Sequence, residues 1–129
     1  MEKFILVDDD SINNKLCTYI IKKVFGNSEI KCFEFPAEGL QFIKSAYGNL
    51  DVSERTILFL DINMPEINGW QFLDEFSKLE HHVQNQFIIY IVSSSIDPTD
   101  EEKANKHPFV KGYLPKPLNA SVLADVKGS

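Results

Sequence analysis

Three stretches of the chain are apolar almost without interruption: Phe4-Ile5-Leu6-Val7, Thr56-Ile57-Leu58-Phe59-Leu60, and Phe87-Ile88-Ile89-Tyr90-Ile91-Val92. Runs this short and this unbroken predict strands covered on both faces, at residues 3–7, 56–60 and 87–92. Residues 29–34 alternate polar with apolar, which suits an edge strand, and a short fifth strand is expected at 111–114. Between these runs the period changes to that of a helix. Ser11 is placed to cap a helix with Ile12, Leu16, Tyr19, Ile20 and Val24 on one stripe, running to Phe25 and ended by Gly26-Asn27. Pro36 opens a second helix with Leu40, Ile43 and Tyr47 inward. Asn68-Gly69 open a third with Trp70, Leu73, Phe76 and Leu79 inward. Asp97 and Pro98 form the sharpest helix start in the chain, followed by Asp100, Glu101 and Glu102 at the positive end of the dipole, and His107-Pro108 stop that helix. A last, short helix begins near Asn119 with Val122, Leu123 and Val126. Strand and helix alternate five times, which predicts an α/β fold: a doubly wound, five-stranded parallel sheet with right-handed crossovers. Residues 48–55 form a polar loop longer than its neighbours.

Bulk properties narrow the function. A chain of 129 residues is long enough for one domain with a real core, so a single domain over 1–129 is expected, with its last helix cut short near 127–129. The net charge of −6 argues against gripping nucleic acid by charge. The apolar runs are far shorter than the roughly 20 residues of a membrane span, and a strand begins too soon after Met1 for a signal peptide. Cys17 and Cys32 have no metal-ligand spacing and read as buried, reduced thiols of a cytoplasmic protein. His81, His82 and His107 read as surface residues without a metal role.

The ends of the predicted strands change the picture. Asp8 and Asp9 follow the first, Asp61 the third, Ser93 the fourth and Lys116 the fifth. Parallel strands bring their carboxyl ends to one edge, where α/β proteins bind ligands. Three carboxylates there repel one another unless a cation intervenes, and Mg²⁺ is the hard, oxygen-seeking cation that suits them. Three acids, a hydroxyl and a lysine fit a carboxylate that accepts a phosphoryl group while metal and ammonium hold its oxygens.

The segments Ile5-Leu6-Val7-Asp8-Asp9-Asp10, Leu60-Asp61-Ile62-Asn63-Met64-Pro65, Asn68-Gly69, Ile91-Val92-Ser93-Ser94-Ser95 and Tyr113-Leu114-Pro115-Lys116-Pro117 fall in order along essentially the whole chain. In this the sequence resembles the receiver domain of two-component response regulators, here as a stand-alone module. The resemblance implies a flavodoxin-like sheet with strand order 2-1-3-4-5. It also implies Asp61 as phosphoacceptor, Asp8 and Asp9 as the acidic pair that positions Mg²⁺, and the Asn63 backbone carbonyl as a further metal ligand. Ser93 would be the switch hydroxyl, Lys116 the partner of the phosphoryl group, and Tyr113 the aromatic that turns with the switch. A histidine kinase or histidine phosphotransfer protein would be the donor. The protein itself would be a monomer or a weak phosphorylation-linked dimer and not a conventional enzyme. The departures are Asp10 as a third consecutive acid at a variable position, Ser93 for the commoner threonine, the 48–55 loop and Pro115; none removes a chemical role. A phosphatase of the haloacid dehalogenase type would need Asp-x-Asp where Asp61-Ile62-Asn63 stands. A scaffold that never takes phosphate would not need the complete set of acids, hydroxyl and lysine.

Overall fold

The computed structural model describes residues 2–48, 55–94 and 97–128. Its elements run β1 (Glu2–Val7), α1 (Ser11–Phe25), β2 (Ser28–Phe33), α2 (Pro36–Tyr47), β3 (Thr56–Asp61), α3 (Gly69–Phe76), α4 (His81–Gln84), β4 (Phe87–Ser93), α5 (Pro98–Lys106), β5 (Val110–Pro115) and α6 (Ala120–Gly128). All strand pairs are parallel, in the order β2-β1-β3-β4-β5. The three uninterrupted apolar runs are the three central strands, and β3 is buried at every position. Alternation along them feeds two cores. Ile5, Val7, Leu58, Leu60, Ile89 and Ile91 face the layer that holds Ile43, Phe72, Phe76 and Ala104 of α2, α3 and α5. Phe4, Leu6, Ile57, Phe59, Tyr90 and Val92 face Cys17 and Ile21 of α1 and Leu123 and Val126 of α6. Both faces are therefore dry, which is why these strands lack polar alternation.

The first helix differs from its expected stripe. Its buried residues are Asn14, Cys17 and Ile21. Ile12, Leu16 and Tyr19 stand out at 76%, 44% and 58% exposure, while Ile20 and Val24 pack at the core's margin. The helix is turned so that Asn14, rather than Leu16, faces the sheet; Asn14 Nδ2 donates to the buried Asp8 carbonyl at 2.9 Å. Asp10, not Ser11, is its N-cap, accepting from the N–H groups of Ile12 and Asn13. Gly26 ends it at φ 76° and donates to Lys22 O.

Other differences are smaller. A one-turn helix, α4, makes six helices among the described residues instead of five. Cys32 on the edge strand β2 is exposed, with its Sγ 3.5 Å from Thr18 Oγ1 of α1; Cys17 is buried as expected. Burial also pushes the Cys17 thiol up to about 11. His107 is half-buried beside Trp70 and Phe109, and burial lowers its pKa. Most of the expected 48–55 loop, and Ser95, lie outside the described residues.

Candidate functional site

β1 and β3 are neighbours in the sheet, with Val7 opposite Leu60. Asp8 and Asp61 therefore emerge side by side at the carboxyl edge. Asp9 joins them: one carboxylate oxygen from each of Asp8, Asp9 and Asp61 lies within 4.8 Å of the others. β5 reaches the same edge through β4, pairing Ser93 with Pro115, so that Lys116 arrives next. Its backbone N–H donates to Ser93 O at 2.9 Å, and its peptide bond to Pro117 is cis. Lys116 Nζ lies 2.7 Å from Asp8 Oδ2 and 3.4 Å from Asp61 Oδ2. Thus Asp8, Asp9, Asp61 and Lys116 are brought together, and Ser93 is buried at the adjoining strand end.

The acids are held unequally. Asp8 Oδ1 accepts from Asp10 N at 2.9 Å, and its Oδ2 accepts from Asn13 Nδ2 at 2.8 Å as well as from the lysine. Asp61 has one weaker internal donor, the N–H of Asn63 at 3.2 Å. The Asp9 carboxylate is exposed and makes no hydrogen bond or ion pair among the described residues. Burial, then the Asp8 charge, raises Asp61 to about 6; the Asn63 N–H and Lys116 pull the other way without cancelling this. Burial would lower Lys116, but the carboxylates of Asp8 and Asp61 outweigh it and raise its pKa. The ammonium thus stays charged and holds two acids at once.

Gly69 closes the floor of the site. Its N–H donates to Ile62 O, and a Cβ there would sit 2.8 Å from Asp61 O, so only glycine lets α3 start this close to the end of β3. Asn68 caps that helix through a reciprocal pair with Gln71. The Asn63 side chain is exposed. Tyr113 lies opposite Ile91, two residues before the position of Ser93 in the ladder, half-buried against the core. Sequence reading missed Asn13 and Asn14, which grip Asp8 from the first turn of α1. The signal was the pair of amides Asn13-Asn14 in the first turn of the helix that follows directly on Asp8-Asp9-Asp10.

The family model described as the response regulator receiver domain matches residues 4–126. The chain belongs to the response regulator receiver family. A two-component response regulator from Cytophaga hutchinsonii is 32% identical, with a TM-score of 0.87 over 99% of this chain and 95% of that one. A response regulator receiver protein from Dyadobacter fermentans is 25% identical, with a TM-score of 0.86 over 98% of this chain and 94% of that one. Histidine kinase CKI1 of Arabidopsis thaliana is 25% identical over 98% of this chain. Stress response regulator protein 1 of Scheffersomyces stipitis is 36% identical over 51% of it. The matches cover only 12% and 20% of those two proteins, respectively. This receiver domain is thus a module of two-component signalling with a flavodoxin-like fold. Among the described residues no helix is long and apolar enough to cross a membrane.

Proposed function

We propose that this receiver takes a phosphoryl group from a phosphohistidine donor onto Asp61 and thereby changes a partner-binding surface. One observation carries the reading: a buried carboxylate, Asp61, is held beside a second buried acid and a shared ammonium at the carboxyl edge of the sheet. Burial of like charges has no structural benefit, whereas a site that must gather an anion and a cation requires it. The donor set is all hard oxygen, and the raised pKa of Asp61 is the strain that a divalent cation relieves, so the residues fit Mg²⁺. Asp8, Asp9, Asp61 and the Asn63 carbonyl would hold it, and when bound it supplies charge neutralisation for the phosphoryl oxygens.

In the transfer, a carboxylate oxygen of Asp61 bonds to phosphorus as the P–N bond to the donor imidazole breaks, and that nitrogen keeps the bonding pair. Lys116 swings from its acids to an equatorial oxygen of the transferring group. The acyl phosphate adds charge and acceptor oxygens beside the buried strand end, where the Ser93 hydroxyl donates to it. Ser93 and Lys116 are joined through the backbone, so a shift at Ser93 is felt in β5, and Tyr113 turns inward as the population moves to the second state. The donor, a histidine kinase or phosphotransfer protein, docks on the apolar Ile12, Leu16 and Tyr19 face of α1, which starts at the site. Any phosphorylation-linked dimer through α5 would rest on salt bridges between its exposed charged side chains, worth little each, and Glu102 and Lys106 already pair within the helix. Nothing in a net charge of −6 favours direct nucleic-acid binding, and a cytoplasmic setting agrees with the reading.

Incubation with acetyl phosphate and Mg²⁺, followed by intact mass and mapping of the adduct, tests the proposal. One phosphoryl adduct on Asp61 is expected, absent in Asp61→Asn. Equal, acid-stable labelling of that variant would overturn it.

A further inference from the structure

We propose that Asn13 is a positioning residue for the metal site: its amide holds Asp8 in place so that Lys116 is free to leave it for the phosphoryl group. This rests on the reading of the acidic site given above.

Asp8 Oδ2 carries two donors, Lys116 Nζ at 2.7 Å and Asn13 Nδ2 at 2.8 Å. Its Oδ1 takes the Asp10 N–H at 2.9 Å, and its backbone carbonyl takes Asn14 Nδ2 at 2.9 Å. A carboxylate has about four lone-pair sites, so three protein donors fix its orientation and leave room for one more partner. The three donors differ in kind. Lys116 brings charge, and it also touches Asp61, so it has work elsewhere. The Asp10 N–H is backbone and reaches the other oxygen. Asn13 is the neutral side-chain donor on the oxygen that Lys116 shares, and it orients Asp8 without cancelling the negative charge that a cation needs.

Asn13 is itself held in place. Its N–H donates to the capping Asp10 side chain at 3.2 Å, and it lies in the first turn of α1, half-buried. When Lys116 moves to a phosphoryl oxygen, Asp8 Oδ2 keeps its Asn13 donor and does not rotate. Without that amide, the lysine is the last side chain holding this oxygen, so it must choose between Asp8 and the incoming group. Asp9 has no such support, which makes Asp8 the fixed member of the acidic pair.

Removing the amide and keeping it on a longer stem have different consequences. Asn13→Ala leaves Asp8 loose, and Mg²⁺ affinity falls about tenfold, the usual scale for losing an outer support of a metal ligand. Asn13→Gln keeps an amide donor for Asp8, and Mg²⁺ affinity recovers toward that of the parent. A role in folding alone would leave the Mg²⁺ affinity of both unchanged.

The test is an NMR titration of the whole chain with MgCl₂, following the amide signals of residues 8–10 and 63, in the parent and both variants. Weaker binding in Asn13→Ala, restored in Asn13→Gln, supports the assignment, and equal weakening in both overturns it. If Asn13→Ala does not fold, Asn13→Leu, of similar volume and without a donor, takes its place with the same readings. A parent that binds Mg²⁺ while Asn13→Ala matches it within about twofold overturns the role of Asn13 and leaves the site reading intact. A parent whose spectrum does not respond to Mg²⁺ overturns both.

Discussion

At the amino edge of the sheet, the Tyr47 hydroxyl lies 2.8 Å from Thr56 Oγ1, and Gln84 Nε2 donates to the carbonyls of Ser77 and Leu79 at 2.9 and 2.8 Å. At the carboxyl edge, Asp8 and Asp61 are equally buried and share one lysine. Both ends hide polar groups from water. At the first, the Tyr47 and Thr56 hydroxyls pair with each other and the Gln84 amide N–H meets backbone carbonyls, and the result joins α2 to β3 and α4 to the turn after α3. At the second, like charges are gathered, and Asp61 is left with a pKa pushed up to about 6, chiefly by burial. Burial that is satisfied locally reads as structure; burial that leaves a charge wanting a partner reads as function.

Removing Lys116 should have the largest effect on stability. Lys116→Met leaves two buried acids without their shared cation and should cost about 3 kcal/mol in urea denaturation at pH 7.5. The loss should shrink toward pH 5, where Asp61 takes up a proton. A cost that did not vary with pH would argue that packing, not charge, explains the lysine.

Asp61→Asn should act the other way. Asp61 holds its proton to higher pH in the fold, about 6, than its ordinary 3.8. The folded state therefore binds more protons across that window, and this group's contribution to stability falls as pH rises through it. The variant should gain about 2 kcal/mol above pH 7, with the gain fading as pH drops toward 4. Mg²⁺ should reduce the gain, since the parent is relieved by the same cation. A variant no more stable than the parent at pH 7.5 would show that the acids are not strained.

The amino edge should respond differently. Thr56→Val removes one partner of a buried pair and should cost about 1–2 kcal/mol at every pH from 5 to 8, with phosphoryl labelling of Asp61 unchanged. Loss of labelling would join the two ends that the comparison separates. The smallest effect is expected on α1. Leu16→Ala should change stability by less than about 0.5 kcal/mol, since that side chain is 44% exposed. A cost of a buried leucine, roughly 2–5 kcal/mol, would return it to the core.

That last case marks where pattern reading failed. The helix at 11–25 was legible, but a 3.6-residue period admits two apolar stripes when Ile12, Leu16, Tyr19, Ile20 and Val24 mark one side and Cys17 and Ile21 another. The choice was made by a polar residue, Asn14, whose amide had to meet the carbonyl of Asp8. Likewise Ser11 and Asp10 were both good caps by type, and only the path of the chain out of β1 selected Asp10. The one-turn α4 carries too few residues for a period to register.

The chain's own residue order determined the five strands, the burial of the three central ones on two faces and the arrival of Asp8, Asp9, Asp61, Ser93 and Lys116 at strand ends, because side-chain period and strand direction are local properties of a parallel sheet. Tertiary structure decided what those ends do to one another. Which carboxylate is fixed, which is strained and which is free in water depends on distances between residues more than fifty positions apart, and on a helix rotation that no single stretch of sequence encodes.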